Sequence, residues 1–183
     1  MGIVLLVVAV ALGLWAISAY NRLIALKNQV ANAWKQIDVQ LKRRHDLIPN
    51  LVNAVKGAMD FEKSTLEAVI SARNKAVAAT GVAQVAQAEG ELTQALGRLF
   101  ALSENYPQLK ATANIQQLQE ELTSTENKVG FARQAYNDFA TSYNTAQQQF
   151  PTNLMAGVAR ATPAELWAIT DEAERAVPKV DLG

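Results

Sequence analysis

Cysteine is absent from the 183 residues, and histidine occurs once, as His45. Without a thiol there is no disulfide frame, no thiolate metal ligand and no cysteine nucleophile. One imidazole cannot supply a two-histidine zinc site or the paired Glu-x-x-His motifs of a di-iron bundle. Charge of one sign is also lacking: 17 Lys+Arg face 17 Asp+Glu. A net charge of zero argues against a protein that coats nucleic acid, and no nucleic-acid partner is expected. No Walker loop, no G-x-G-x-x-G run and no G-x-S-x-G elbow is present. The expectation is a protein that is not an enzyme, with no catalytic, cofactor-binding or metal-ligating residues.

Glycine (9) and proline (5) are scarce, and period-two alternation is missing. Apolar residues recur at three- and four-residue steps instead, which predicts an all-α chain. The first feature present is a long apolar run. Gly2 to Tyr20 carries no charge, and Ser18 is its one clearly polar side chain. At ~1.5 Å per residue it forms about 28 Å of helix, close to the ~30 Å hydrocarbon core of a bilayer. Trp15 and Tyr20 lie toward its end, where amphipathic rings favour the headgroup level. No basic n-region precedes it, so it reads as an uncleaved anchor rather than a signal peptide. Arg22, Lys27 and Lys35 follow it, which orients the N-terminus outward and the body to the cytoplasm.

Beyond the anchor the pattern predicts three long helices. The first continues through Leu23, Leu26, Val30, Trp34, Ile37 and Leu41, is kinked at Pro49, and ends near Gly81. The second spans about Val82 to Tyr106, where Pro107 stops it, and its Gly90 and Gly97 are read as marks of tight packing. The third starts at Asn114 as N-cap. Its seam runs Ile115, Leu118, Leu122, Thr125, Val129, Ala132, Tyr136, Phe139, Tyr143, Ala146 and Phe150, in steps of three and four as in a coiled coil. Phe139 is expected to be a costly position to truncate. Thr162-Pro163-Ala164-Glu165 then combines N-cap Thr, Pro at N1 and Glu at N3, and predicts a short helix to Ala176. The neutral total hides an asymmetry: residues 21–45 carry six cations against Asp38, whereas residues 163–183 carry five carboxylates against two cations.

Several of these segments resemble the LemA family of bacterial membrane-anchored helical proteins. The likeness is carried by Tyr20-Asn21-Arg22-Leu23 and by the run from Ala33-Trp34-Lys35-Gln36-Ile37-Asp38 through Lys42-Arg43-Arg44-His45-Asp46-Leu47-Ile48-Pro49-Asn50-Leu51-Val52. It continues in Glu104-Asn105-Tyr106-Pro107, Leu118-Gln119-Glu120-Glu121-Leu122, Tyr136-Asn137, Tyr143-Asn144 and Phe150-Pro151. The resemblance implies an N-terminal transmembrane helix continuing into a long antiparallel helical bundle, in a bacterial cytoplasmic membrane, with some members tied to internal membrane compartments. It supplies no catalytic residues.

The expected organisation is an anchor at 1–20, a helical bundle at 21–150, and a C-terminal segment with a short acidic helix at 151–183. The bilayer is one expected partner, a second copy another, and an unidentified protein a third. If the first helix runs straight to Thr80, neither later helix covers Val30, Trp34, Ile37 and Leu41, and that stripe becomes an interface between copies. Arg43, Arg44, Glu62, Arg73, Glu121 and Glu126 are candidates for polar contacts between helices or subunits. His45 is expected to be a structural hydrogen-bonding residue. The Asn127, Asn137 and Asn144 series is read as inter-helix hydrogen bonding, and Trp167 as the residue that docks the tail. The functional expectation is a scaffold that self-assembles in the membrane plane and organises or remodels the membrane; the alternative is a tethered adaptor or sensor that presents the bundle to a cytoplasmic protein.

Overall fold

The computed structural model describes residues 1–57, 62–110 and 112–168, with backbone alone at 108 and 110. The fold is all-α. Its elements are α1 (Gly2–Lys56), α2 (Lys63–Ala78), α3 (Val82–Ser103), α4 (Pro107–Lys110), α5 (Ala113–Gln148) and α6 (Asn153–Ala156). They divide into two compact units, one of residues 1–37 with 131–166, the other of 38–130 with the chain from 167.

In the second unit α1, α2, α3, α4 and α5 share one apolar core, α4 through Leu109. Ile48, Leu51, Val52 and Val55 of α1 meet Leu66, Val69, Ala72 and Ala76 of α2, Ala88, Leu92, Leu96 and Leu99 of α3, and Ile115, Leu118 and Leu122 of α5. Each set recurs at helical spacing, so each helix turns one stripe inward. Pro49 lies inside α1 and is solvent-facing, and the helix continues through it. The lost backbone donor is offset by the burial of Ile48, Leu51 and Val52 around it. A helix does end near Gly81, where α2 stops at Ala78, but a further break divides the expected first helix: α1 ends at Lys56 and α2 is a separate helix. Gly81, at φ +79°, serves the next turn, a conformation that disfavours any side chain.

That extra hairpin reverses the sense of every later helix, so α5 runs back along α1. In the first unit Leu23 clusters with Ala146 and Ala159, and eleven residues on along α1 Trp34 meets Tyr136 edge-on, with ring centroids 5.4 Å apart. The stripe expected to be bare is therefore covered within one chain. Ile37 and Leu41 are buried, at 0% and 5% exposure, and Val30 and Trp34 are half-buried.

The α5 seam departs from the expected spacing at one step, and Phe150 lies beyond the end of the helix. Ile115 to Val129, Tyr136, Tyr143 and Ala146 lie inward as the spacing predicts, but Ala140 is fully buried where Phe139 was expected. Phe139 is 38% exposed and Phe150 is 81% exposed. The inward face steps 136, 140, 143, four residues and then three, so Ala140 takes the inward place between the two buried tyrosines and Phe139 falls to its edge. Phe139 is thus not a seam anchor.

Residues 2–14 of α1 are exposed on every side, among them Ile3, Leu5, Leu6 and Leu12. The segment is long and apolar enough to cross a membrane. Among the described residues none covers these side chains, and a bilayer is the medium that matches them.

Candidate functional site: a buried polar hub and a gripped strap

Two polar arrangements stand out against the apolar packing. The first is a hub in the unit of residues 38–130. Arg44 and His45 occupy adjacent positions on α1, and Glu89 stands on the inward stripe of α3 between Val85 and Leu92. Arg44 Nη1 donates to Glu89 Oε2 at 2.9 Å, and His45 Nε2 lies 2.6 Å from Glu89 Oε1. An ionised carboxylate only accepts, so against ionised Glu89 the Nε2 of His45 is the donor in this contact. Arg44 Nη2 donates to Thr93 Oγ1 at 2.9 Å and pairs with Glu126 of α5. Arg73 of α2 closes the arrangement by donating from Nε to the His45 carbonyl at 2.8 Å. One side chain or carbonyl from each of four helices is thereby tied together.

Arg44 is 2% exposed and Glu89 is 4% exposed, so neither charge is hydrated. Burial of a charge in that degree is tolerable only when it is paired and hydrogen-bonded, as here. One donor, Arg44 Nε, is buried without a partner. Beside the hub a cleft of ≈ 210 Å³ is lined by Arg44, Thr93, Gly97, Phe100, Glu126 and Asn127, among others.

The sequence-predicted residues fall out as follows. Arg44, Arg73 and Glu126 are brought into the hub with His45. Glu62 receives a long contact from the Tyr106 hydroxyl at 3.5 Å. Glu121 accepts from Gln117 one turn earlier on the same helix, and Arg43 is exposed. Glu89 and Thr93 went unremarked in the sequence. The signal was there for Glu89: a carboxylate at helical spacing within the stripe Val85, Ala88, Leu92 needs a buried partner.

Gly97 was expected to mark close packing, yet a Cβ built there meets nothing within 4 Å. Its only effect on α3 is then the conformational penalty of glycine in a helix. Gly97→Ala should stabilise the protein by up to ~1 kcal/mol, read as a melting temperature higher by about 2–4 °C. An unchanged or lower melting temperature would show that the cleft wall needs glycine.

The second arrangement lies in the unit of residues 1–37 and 131–166. After α6 the chain turns through a Schellman pattern. Ala161 N–H donates to the Ala156 carbonyl at 2.9 Å and Arg160 N–H to the Gly157 carbonyl at 3.2 Å, with Arg160 at φ +46°. Residues 161–166 then run as an irregular strap along α5, not as the helix that Thr162-Pro163-Ala164-Glu165 predicts. Asn144 grips both main-chain groups of Ala164: its Nδ2 donates to the Ala164 carbonyl at 2.8 Å, and its Oδ1 accepts from the Ala164 N–H at 2.7 Å. The Tyr136 hydroxyl donates to the Glu165 carbonyl at 2.7 Å. Tyr143 Oη is buried with no partner at hydrogen-bond geometry, although the Thr162 main chain lies near it.

Burial pushes the Tyr136 phenol above its ordinary pKa, and the Glu165 charge adds to that. Burial likewise raises Tyr143, against a smaller lowering from the Thr162 main chain. Both phenols therefore keep their proton, and that of Tyr136 is donated to the Glu165 carbonyl. Trp167 is buried at 3% exposure. The rest of the expected acidic helix, 169–176, lies outside the described residues.

The LemA family model matches residues 33–182. Protein LemA of Metamycoplasma hominis is 28% identical over 138 residues, covering 74% of this chain and 63% of the relative. Magnetosome protein MamQ 2 of Paramagnetospirillum magneticum is 24% identical over 172 residues, 80% of this chain and 63% of the relative. Magnetosome protein MamQ of Magnetospirillum gryphiswaldense is 23% identical over 163 residues, 75% and 60%. The chain thus spans about three-fifths of the length of these curated relatives. The matched range holds every residue of the hub and of the strap, and this chain belongs to the LemA family.

Proposed function

We propose that the protein is a membrane-tethered, non-catalytic adaptor whose helical body is presented to a protein partner on the cytoplasmic side. The observation that carries the reading is the single helix α1. It begins as an apolar segment with no protein cover, fit to span a bilayer, and continues without interruption into the packed body up to Lys56. An anchor continuous with the body transmits position and orientation, where a flexible linker would not. The basic flank of Arg22, Lys27 and Lys35 supports an outward N-terminus in the bacterial cytoplasmic membrane.

Self-assembly into a membrane scaffold is the competing reading. Its strongest argument was an uncovered stripe at Val30, Trp34, Ile37 and Leu41, and within the one chain Ile37 and Leu41 are buried while Trp34 packs on Tyr136 of α5. Sizing decides between them. Full-length protein extracted in mild detergent and weighed by light scattering should contain one chain per micelle. A large, uniform assembly would overturn the adaptor reading in favour of the scaffold.

A further inference from the structure

The strap is held in a way that a structural tail does not require. Its grip is on the main chain: both groups of Ala164 by Asn144, and the Glu165 carbonyl by Tyr136. The side chains of Thr162, Pro163, Glu165 and Leu166 are exposed. Such a groove reads an extended backbone with a small residue at one position and accepts varied sequence elsewhere.

The occupant also fits imperfectly. The Tyr143 hydroxyl, buried at the strap, finds no acceptor of hydrogen-bond geometry. A buried donor left unmet costs free energy that a better-matched occupant would recover. Local preference opposes the gripped state as well. Thr162, Pro163 and Glu165 stand at N-cap, N1 and N3 of a helix start, and the strap forgoes that helix. Arg160 enters it in the left-handed region, which a non-glycine residue occupies at a cost. A segment whose local signal and tertiary state disagree lies closer to release than one in which they agree.

We infer that the face of α5 bearing Tyr136, Tyr143 and Asn144 is a docking groove for an extended peptide of a partner protein, which the chain's own residues 161–166 occupy in the resting state. The inference rests on the adaptor reading and names the class of partner that reading needs: an extended segment with a small residue presenting its N–H and C=O to Asn144, and the next carbonyl to Tyr136. Displacement frees the strap to take up the helix that its sequence encodes.

The test uses the full-length protein in detergent and a fluorescent synthetic peptide of residues 161–168, followed by anisotropy. Ala164→Pro removes the N–H that Asn144 accepts and so loosens the resident strap. This variant should bind the peptide at least tenfold more tightly than the unaltered chain. Adding Asn144→Ala should abolish that gain. If the folded Ala164→Pro chain binds no better than the unaltered one, or if Asn144→Ala leaves binding intact, the inference is wrong.

A second measurement needs no variant. In the unaltered chain, excess peptide should speed amide exchange of residues 161–166 by tenfold or more, and unchanged protection would equally overturn the proposal. Failure here with a monomeric protein leaves the adaptor reading standing on another surface. A large assembly on sizing removes that reading whatever the peptide does.

Discussion

Ile37→Lys should destabilise the detergent-solubilised monomer by about 4 kcal/mol, with early melting and loss of helix content by circular dichroism. Ile37 is wholly inaccessible to solvent, on the stripe that α1 turns inward. The substitution removes the apolar burial of the isoleucine and asks the same site to accept an ammonium group. Lysine can relieve part of this by extending its stem toward water, which keeps the loss finite. Glu at Trp34, which is half-buried against Tyr136, should cost less. The opposite outcome is equally readable. If Ile37→Lys converts a larger assembly into folded monomers of normal stability, the stripe is an interface between copies.

Glu89→Ala is expected to cost about 3 kcal/mol, measured by chemical denaturation against the unaltered chain. Its carboxylate receives Arg44 on one oxygen and His45 on the other, at 2.9 Å and 2.6 Å. Deleting it leaves a guanidinium of 2% exposure short of its most deeply buried partner. Arg44 keeps Thr93 and the partly exposed Glu126, which places the loss at the low end of the range for breaking a buried pair. Glu89→Gln retains an acceptor and should lose clearly less. A loss below about 1 kcal/mol for Glu89→Ala would mean that the hub behaves like a surface ion pair, contrary to its burial.

Periodicity alone located most of the helices, because an inward stripe must repeat at the helical pitch whatever it packs against. Ile115, Leu118 and Leu122 are inward for that reason, as are Leu92 and Leu99. The stop after Gly57 was harder to see. Pro49 is the stronger breaker taken by itself, and Gly57 prevailed because burial of Ile48, Leu51 and Val52 holds the helix together across the proline. That single missed break changed the direction of α5, and with it the fate of the stripe from Val30 to Leu41. Hub membership was partly visible: Arg44, Arg73 and Glu126 are polar residues at suspect positions, but the centre of the hub is Glu89, whose role depends on two residues 44 and 45 positions earlier.

The sequence by itself determined the all-α class, the apolar segment at 2–20, the absence of thiol chemistry and the family to which residues 33–182 belong. These rest on composition, length and local spacing, which no partner helix alters. Only the tertiary structure decided which helices are antiparallel, which charge Arg44 meets, and that residues 161–166 are drawn out along α5 although Thr162-Pro163-Ala164-Glu165 encodes a helix start. The physical reason is the same in each case. Local preferences amount to a few tenths of a kcal/mol up to about 1 per residue, whereas a buried side chain or a paired buried charge is worth several times that, so long-range contacts prevail wherever the two disagree.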